Sequence, residues 1–330
     1  MLTVENLSIG IHHQGSWAPA VENLCFTVNK GEIVGIIGES GSGKSLTAKA
    51  IANILPENIK QLSGLIHLDD IPLHLQSKKD WKTIYGKKIS FIFQNPMAAL
   101  NPLIRVGRQL INAYRAHHKC DYSTAKQRAL ETLRRVGIHE NERVFQSFPY
   151  ELSGGLKQRV MIGIAIINQP ELLIADEPTT ALDATVRKQI MELFLKLRAE
   201  DHLSIIFISH DISAVGYLCD KIVVLYGGQS LEQGDCGTIL KSPAHPYTQA
   251  LLQAVPRLKG SKKLVSFNGT VPSPFEKKKG CIFAPRCLFK QDICDAIEPE
   301  KRVIADHHSC SCLFPLGQNE ANKKEEVGVL

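Results

Sequence analysis

Residues 38–45 read Gly38-Glu39-Ser40-Gly41-Ser42-Gly43-Lys44-Ser45, a G-x-x-x-x-G-K-S run. Gly38, Gly41 and Gly43 let the chain curl with no Cβ in the way, so that backbone N–H groups converge on phosphate oxygens. Lys44 is of the right length and charge for the β- and γ-phosphates of a nucleotide, and the Ser45 hydroxyl for Mg²⁺. Ser40 and Leu46 join these as candidate nucleotide-binding positions. A second set is Leu172-Leu173-Ile174-Ala175-Asp176-Glu177, in which two carboxylates end an apolar run. Asp176 suits the metal, directly or through water, and Glu177 suits a general base that polarises an attacking water.

Regular elements must position these groups. Ile33, Val34, Ile36 and Ile37 form a nearly unbroken apolar run, as a buried parallel strand does. Leu46 to Leu55 reads as a helix ended by Pro56, whose positive dipole end faces the loop. The run 172–175 reads as another buried strand, and ligands on open α/β sheets sit at the carboxyl ends of strands. A glycine-rich turn or an acidic turn alone is common. The two together, each after a buried strand, argue for a nucleotide site.

Further motifs fall in a fixed order. Leu152-Ser153-Gly154-Gly155-Leu156-Lys157-Gln158-Arg159 resembles the signature loop of ATP-binding cassette (ABC) ATPases. Gln94, in Phe91-Ile92-Phe93-Gln94-Asn95-Pro96, resembles the glutamine-loop residue. Ala181-Leu182-Asp183 resembles the loop whose aspartate crosses the dimer interface, and Ser209-His210-Asp211 the switch histidine after a strand at Ser204 to Ile208. The resemblance covers about residues 1–255. It implies an α/β P-loop NTPase: a RecA-like core, an antiparallel β-subdomain and a helical subdomain at about 97–167. It further implies ATP and Mg²⁺ as ligands, with Ser45, Gln94 and Asp176 on the metal and Glu177, His210 and Gln94 in catalysis. Ser153, Gly154, Gly155 and Asp183 would complete the site of a second subunit. Ser153 and the N–H groups of Gly154 and Gly155, before a helix beginning near Leu156, form a second anion-binding helix start. Leu156 stands where many signatures have glutamine. The usual adenine-stacking aromatic is replaced by Ile11, which leaves Trp17 as either a stacking ring or a packing residue.

The chain has 330 residues, 44% of them hydrophobic, and a formal net charge of +6. That length allows one large domain plus a small one. The longest apolar run, Val160 to Ile167, is too short to span a bilayer, and Met1-Leu2-Thr3-Val4-Glu5-Asn6 carries no secretory signal. A modest positive excess suits an anionic inner leaflet; no nucleic-acid reader motif accompanies it. Residues 1–30 read as short strands around a turn at Gln14-Gly15-Ser16. Ser123 to Val136 reads as a helix with Ala125, Ala129, Leu130, Leu133 and Val136 on one stripe, Ser123 as N-cap and Gly137 as stop.

After about Val255 the composition shifts. Five of nine cysteines follow residue 280, with Cys281, Cys287, Cys294 and Cys312 spaced C-x5-C-x6-C-x17-C and Cys310 a substitute for the last. With Gly280-Cys281-Ile282-Phe283-Ala284-Pro285-Arg286-Cys287 and His245-Pro246-Tyr247-Thr248, residues 256–330 resemble the C-terminal extension of the oligopeptide/dipeptide/nickel importer ATPases. A chain in the cytosol disfavours stable disulfides. The spacing matches neither the paired C-x2-C of most zinc sites nor the common ferredoxin runs. A four-iron four-sulfur cluster, zinc and free buried thiols all stand open.

The resemblance thus implies an ATP-hydrolysing subunit that energises import of small peptides from the cytoplasmic face of the inner membrane. Its partners would be two integral permease subunits, a second and different ABC ATPase, and an extracytoplasmic substrate-binding protein, with no nucleic acid. Import of nickel or a metal chelate uses the same architecture. A non-transport ABC ATPase is the distant alternative, disfavoured because Ser45 to Leu152 leaves no room for a coiled-coil insertion.

Overall fold

The computed structural model describes residues 1–95, 99–180, 182–254, 270–276 and 279–317. Expectations that fall on Met97, Ala181 and the stretch 256–269 lie outside these residues. In chain order the strands used below are β1 Leu2–His13, β2 Ser16–Val28, β3 Ile33–Ile37, β4 Ile59–Leu68, β5 Ile71–Pro72, β6 Ile89–Ile92, β7 Leu172–Asp176, β8 Ser204–Ile208, β9 Lys221–Tyr226, β10 Gln229–Asp235, β11 Arg302–Ala305 and β12 His308–Cys310. The helices are α1 Lys44–Ile51, α2 Lys78–Ile84, α3 Val106–Arg115, α4 Tyr122–Arg135, α5 Asn141–Gln146, α6 Gly154–Ile166, α7 Ala184–Asp201, α8 Ile212–Leu218, α9 Cys236–Lys241 and α10 Pro246–Gln253. They fall into two compact units. One comprises Met1, 28–33 and 71–208, the other 2–27, 34–70 and 209–330.

In the first unit β6, β7 and β8 run parallel in that order, with Ile174 opposite both Phe91 and Ile206. Every residue of β7 and β8 is buried. This is why both strands read as unbroken apolar runs: a parallel sheet is covered on both faces. Helices α3 to α7 belong to the same unit, and the four from α3 to α6 fall inside the predicted helical insertion.

α4 differs from its expected form in two details. Its N-cap is Asp121, whose carboxylate accepts from the Thr124 N–H at 3.0 Å. Ser123 sits already inside the first turn. An N-cap carboxylate is also favoured by the dipole. Leu130 is only half-buried; Thr132 lies on the buried side instead, its hydroxyl donating to the Arg128 carbonyl at 2.8 Å. Gly137 ends the helix at φ 78° as expected.

In the second unit β1 pairs antiparallel with β4, and β1 and β2 are 12 and 13 residues long, not short. Gln14 and Gly15, both at positive φ, make the tight turn that lets two long strands pair directly. A second set of strands runs β3, β9, β10, β12, β11, parallel at β3–β9 and antiparallel thereafter. The cysteine-rich extension therefore shares a sheet with β9 and β10: Cys310 lies opposite Glu232. α1 stops at Ile51, four residues before the expected end, where Asn53 turns left-handed at φ 52°. Among the described residues no helix is long and apolar enough to cross a membrane.

Candidate active site

In the second unit the loop 38–43 leaves β3 and enters α1 at Lys44. Gly43, the N-cap, precedes the helix at φ 99° and has no side chain with which to cap it, and a helix start of this kind suits an anion. Lys44 is 5% exposed. Its Nζ donates to the Gly38 and Glu39 carbonyls, 2.8 Å each. The ammonium thus rests against the loop's own carbonyl oxygens. Ser45, half-buried, follows on the first turn. The Gly228 N–H donates to the Ser42 carbonyl at 3.2 Å, fastening the loop to the β9–β10 turn. His210 is exposed on a turn braced on both sides: the Asp211 N–H donates to Ser209 Oγ at 2.9 Å, and Asp211 caps α8 through the Ser213 and Ala214 N–H groups.

In the first unit Asp176 ends β7 and is 4% exposed. Glu177 follows at φ 47°, its N–H donating to the Ile208 carbonyl at 3.0 Å. One carboxylate oxygen, Oε2, accepts from Gln94 Nε2 at 2.8 Å and from Thr180 Oγ1 at 3.0 Å. The fold thus joins Gln94 and Glu177, 83 residues apart. A left-handed glutamate is costly for an L-residue; here it turns the side chain out of the strand direction toward Gln94. Thr180 was missed by sequence reasoning, although it lies three residues after Glu177.

Ser153 is the N-cap of α6, its hydroxyl accepting from the Leu156 N–H at 3.4 Å. The helix begins at Gly154, two residues before the expected start. Asp183 is the N-cap of α7, with Oδ1 accepting from the Thr185 and Val186 N–H groups at 3.0 Å each. Ser153, Gly154 and Asp183 are all exposed.

The Trp17 ring lies 5.0 Å from the His12 ring and carries Lys60 Nζ 4.1 Å from its centroid. Trp17 itself is exposed. Ile11 sits opposite Ile59 in the β1–β4 ladder.

In the extension Cys281, Cys287, Cys294 and Cys312 border one cavity of about 20 Å³, with His245, Phe283, Phe289 and Phe314. Cys310 is not among its walls; it is buried in β12. As the side chains stand, no three or more His, Cys, Asp or Glu groups among the described residues are in metal-holding geometry. Burial pushes the Cys281 and Cys287 thiols up and Cys312 to about 11, and neighbouring cysteines add to each shift. A cation among them would reverse that balance by stabilising the thiolates. His245 was not anticipated here. Its Nδ1 accepts from the Tyr247 N–H at 3.0 Å. Its Nε2 is buried, and burial lowers its pKa to about 3, so the ring is neutral.

A glycine-rich loop between a parallel strand and a helix, with an Asp-Glu pair at the end of another buried strand, is the pattern of a P-loop nucleoside triphosphatase. Known proteins agree. The family described as "ABC transporter" matches residues 21–180, and "Oligopeptide/dipeptide transporter, C-terminal region" matches residues 231–294. The chain is 40% identical over 317 residues to the dipeptide transport ATP-binding protein DppD of Escherichia coli (strain K12), covering 96% of this chain and 97% of that one. With the protein of the same name from Haemophilus influenzae identity is 38% over 329 residues, 99% of each. Among solved structures, the ATP-binding cassette MJ0796 in a post-hydrolysis state bound to ADP and Pi superposes with a TM-score of 0.65 at 28% identity, over 72% of this chain and 99% of that one. The chain belongs to the ABC transporter ATP-binding proteins, in the branch that carries the oligopeptide/dipeptide transporter C-terminal region.

Proposed function

We propose that this chain is the ATP-hydrolysing subunit of a membrane importer of small peptides. The observation that carries this reading is the near full-length likeness to dipeptide transport ATP-binding proteins, tail included. In it the N–H groups of the loop, Lys44 and the α1 terminus hold the phosphates of ATP, with Gly38, Ser40, Gly41, Gly43, Ser45 and Leu46 shaping the cradle. Ser45, Gln94 and Asp176 would hold Mg²⁺, which would supply charge neutralisation at the phosphates. Glu177 accepts a proton from the attacking water, Gln94 orients that carboxylate, and His210 contacts the γ-phosphate. Ser153, Gly154, Gly155 and Asp183 serve the nucleotide of a second ATPase subunit. Residues 1–255 form the cassette and 256–330 the importer-type extension. Two integral permeases and an extracytoplasmic binding protein complete the complex, and the chain sits peripherally on the cytoplasmic face of the membrane. The test is uptake of labelled dipeptide, longer peptide and nickel in cells carrying wild-type or Glu177→Gln protein. Selective loss of peptide uptake is expected; selective loss of nickel uptake overturns the cargo assignment.

The four thiols around one cavity suit a soft metal centre, a four-iron four-sulfur cluster or zinc. The donor set supports it: four cysteines border a single small cavity, and the competing Cys310 is outside it. Protein purified without oxygen should carry either about four iron atoms with labile sulfide or about one zinc per chain, and Cys312→Ser should lower that content severely. Metal content at background in the wild type would refute the centre.

A further inference from the structure

Glu39, the second residue of the phosphate loop, is held from the far end of the chain. Its N–H donates to Tyr247 Oη at 2.9 Å. Its carboxylate Oε2 accepts from Arg286 Nη1 at 3.0 Å, and the same nitrogen donates to Tyr226 Oη at 3.2 Å. These partners lie 208 and 247 residues away from Glu39. The ion pair is sheltered: the side chains of Arg286 and Glu39 are 6% and 28% exposed. Arg286 also lies over the Tyr226 ring, 5.6 Å from its centroid. The Glu39 carbonyl meanwhile accepts from Lys44 Nζ. Whatever fixes Glu39 therefore fixes both the curl of the loop and the resting place of its lysine.

Arg286 stands between Cys281 and Cys287, and the connection to the cysteine cavity is continuous. Phe283, on the cavity wall, meets the Tyr226, Tyr247 and His245 rings at centroid distances of 5.3, 5.3 and 5.8 Å. Tyr226 and Tyr247 meet at 4.7 Å. All four rings are buried. A close-packed group of this kind transmits displacement, because a ring cannot shift without moving its neighbours.

We propose that Arg286 is a positioning residue for nucleotide binding, through which the cysteine-rich extension sets the geometry of the phosphate loop. The proposal rests on the reading of 38–45 as the ATP site. A sheltered ion pair to a loop residue acts on the binding-competent shape of the loop, so its loss falls on affinity more than on turnover of the saturated enzyme.

The test is equilibrium titration of the full-length chain with ATP, alongside steady-state hydrolysis. Arg286→Ala should weaken ATP binding about tenfold, the worth of one charge-assisted hydrogen bond, with kcat at saturating ATP within about threefold of wild type. Glu39→Gln should weaken binding in the same direction. The double variant Arg286→Ala/Glu39→Gln should be no worse than Arg286→Ala, because both changes remove one interaction. Arg286→Lys, which keeps the charge, should recover part of the affinity. Unchanged affinity in Arg286→Ala, or losses that add in the double variant, would overturn the proposal. If Arg286→Ala loses cooperative unfolding, Arg286→Lys and Glu39→Gln carry the test, with a loss of a few-fold expected for each and no loss overturning the idea. Lys44→Ala separates the two readings. If it binds ATP like wild type, the phosphate loop is not the ATP site. If it fails to bind while Arg286→Ala is normal, only the role of Arg286 falls.

Discussion

Glu177→Gln protein is expected to bind ATP with wild-type affinity and to hydrolyse it at least 100-fold more slowly, the lower end of what a general base contributes. The geometry explains why affinity and turnover separate. The wild-type carboxylate accepts two hydrogen bonds on one oxygen, from Gln94 Nε2 and Thr180 Oγ1. A glutamine can offer its carbonyl oxygen to the same two donors, so the side chain stays where it is. The backbone cost of φ 47° is borne by either residue alike. What disappears is the basic oxygen proposed to take the water proton. Single-turnover hydrolysis and equilibrium ATP binding, measured on the same preparation, check both halves. Hydrolysis within tenfold of wild type would remove Glu177 from the role of base. An affinity loss as large as the rate loss would make it a binding residue instead.

Contiguity decided what the sequence could reveal. β3, the loop and α1 succeed one another without interruption, and each carries its own local signal: apolar run, glycines, helix start. The same holds for β7 with Asp176 and Glu177. The order of those elements was legible, although the end of α1 was not, because Asn53 turns left-handed before the expected stop. The resemblance placed Gln94 and Glu177 in catalysis, but their contact was not legible, because parallel strands bring together residues far apart in the chain. Glu39 was passed over as a variable position of the motif, since nothing near it in sequence shows that Tyr247, Tyr226 and Arg286 hold it. Spacing pointed to Cys312 and left Cys310 as a substitute. The register of β12 separates them: Cys310 lies opposite both Glu232 and Arg302 and is fixed in the ladder, whereas Cys312 stands two residues past the strand end and borders the cavity. Strand length at β1 and β2 failed for a related reason. Polar and apolar residues mix along both strands, and only the tight turn at Gln14-Gly15 and the long ladder with β4 show how far they run.

The other large effect is expected at Gly38, and it is steric. A Cβ built there would stand 2.1 Å from the Leu225 carbonyl oxygen and 2.8 Å from Ser42 Oγ, on a residue at φ 152°. The first obstacle is backbone of β9, the strand next to β3 in the sheet, and cannot swing aside as a side-chain tip can. Gly38→Ala must therefore displace the start of the loop, and with it the carbonyl that receives Lys44. Overpacking of a close-packed site costs about 1–3 kcal/mol; at the upper end, charged to the binding-competent loop, this is about a 100-fold loss of ATP affinity. Gly41→Ala is the control. Its φ is +79° and nothing lies within 4 Å of the built Cβ, so the apo loop meets only the left-handed backbone cost of about 1–2 kcal/mol. Thermal unfolding and ATP titration of both variants distinguish the causes. Gly38→Ala, which meets the Leu225 carbonyl as well as a positive φ, should lose more stability than Gly41→Ala and should lose nucleotide affinity with it. Equal stability losses at the two positions would mean that backbone conformation, not the Leu225 carbonyl, sets the requirement for glycine at 38.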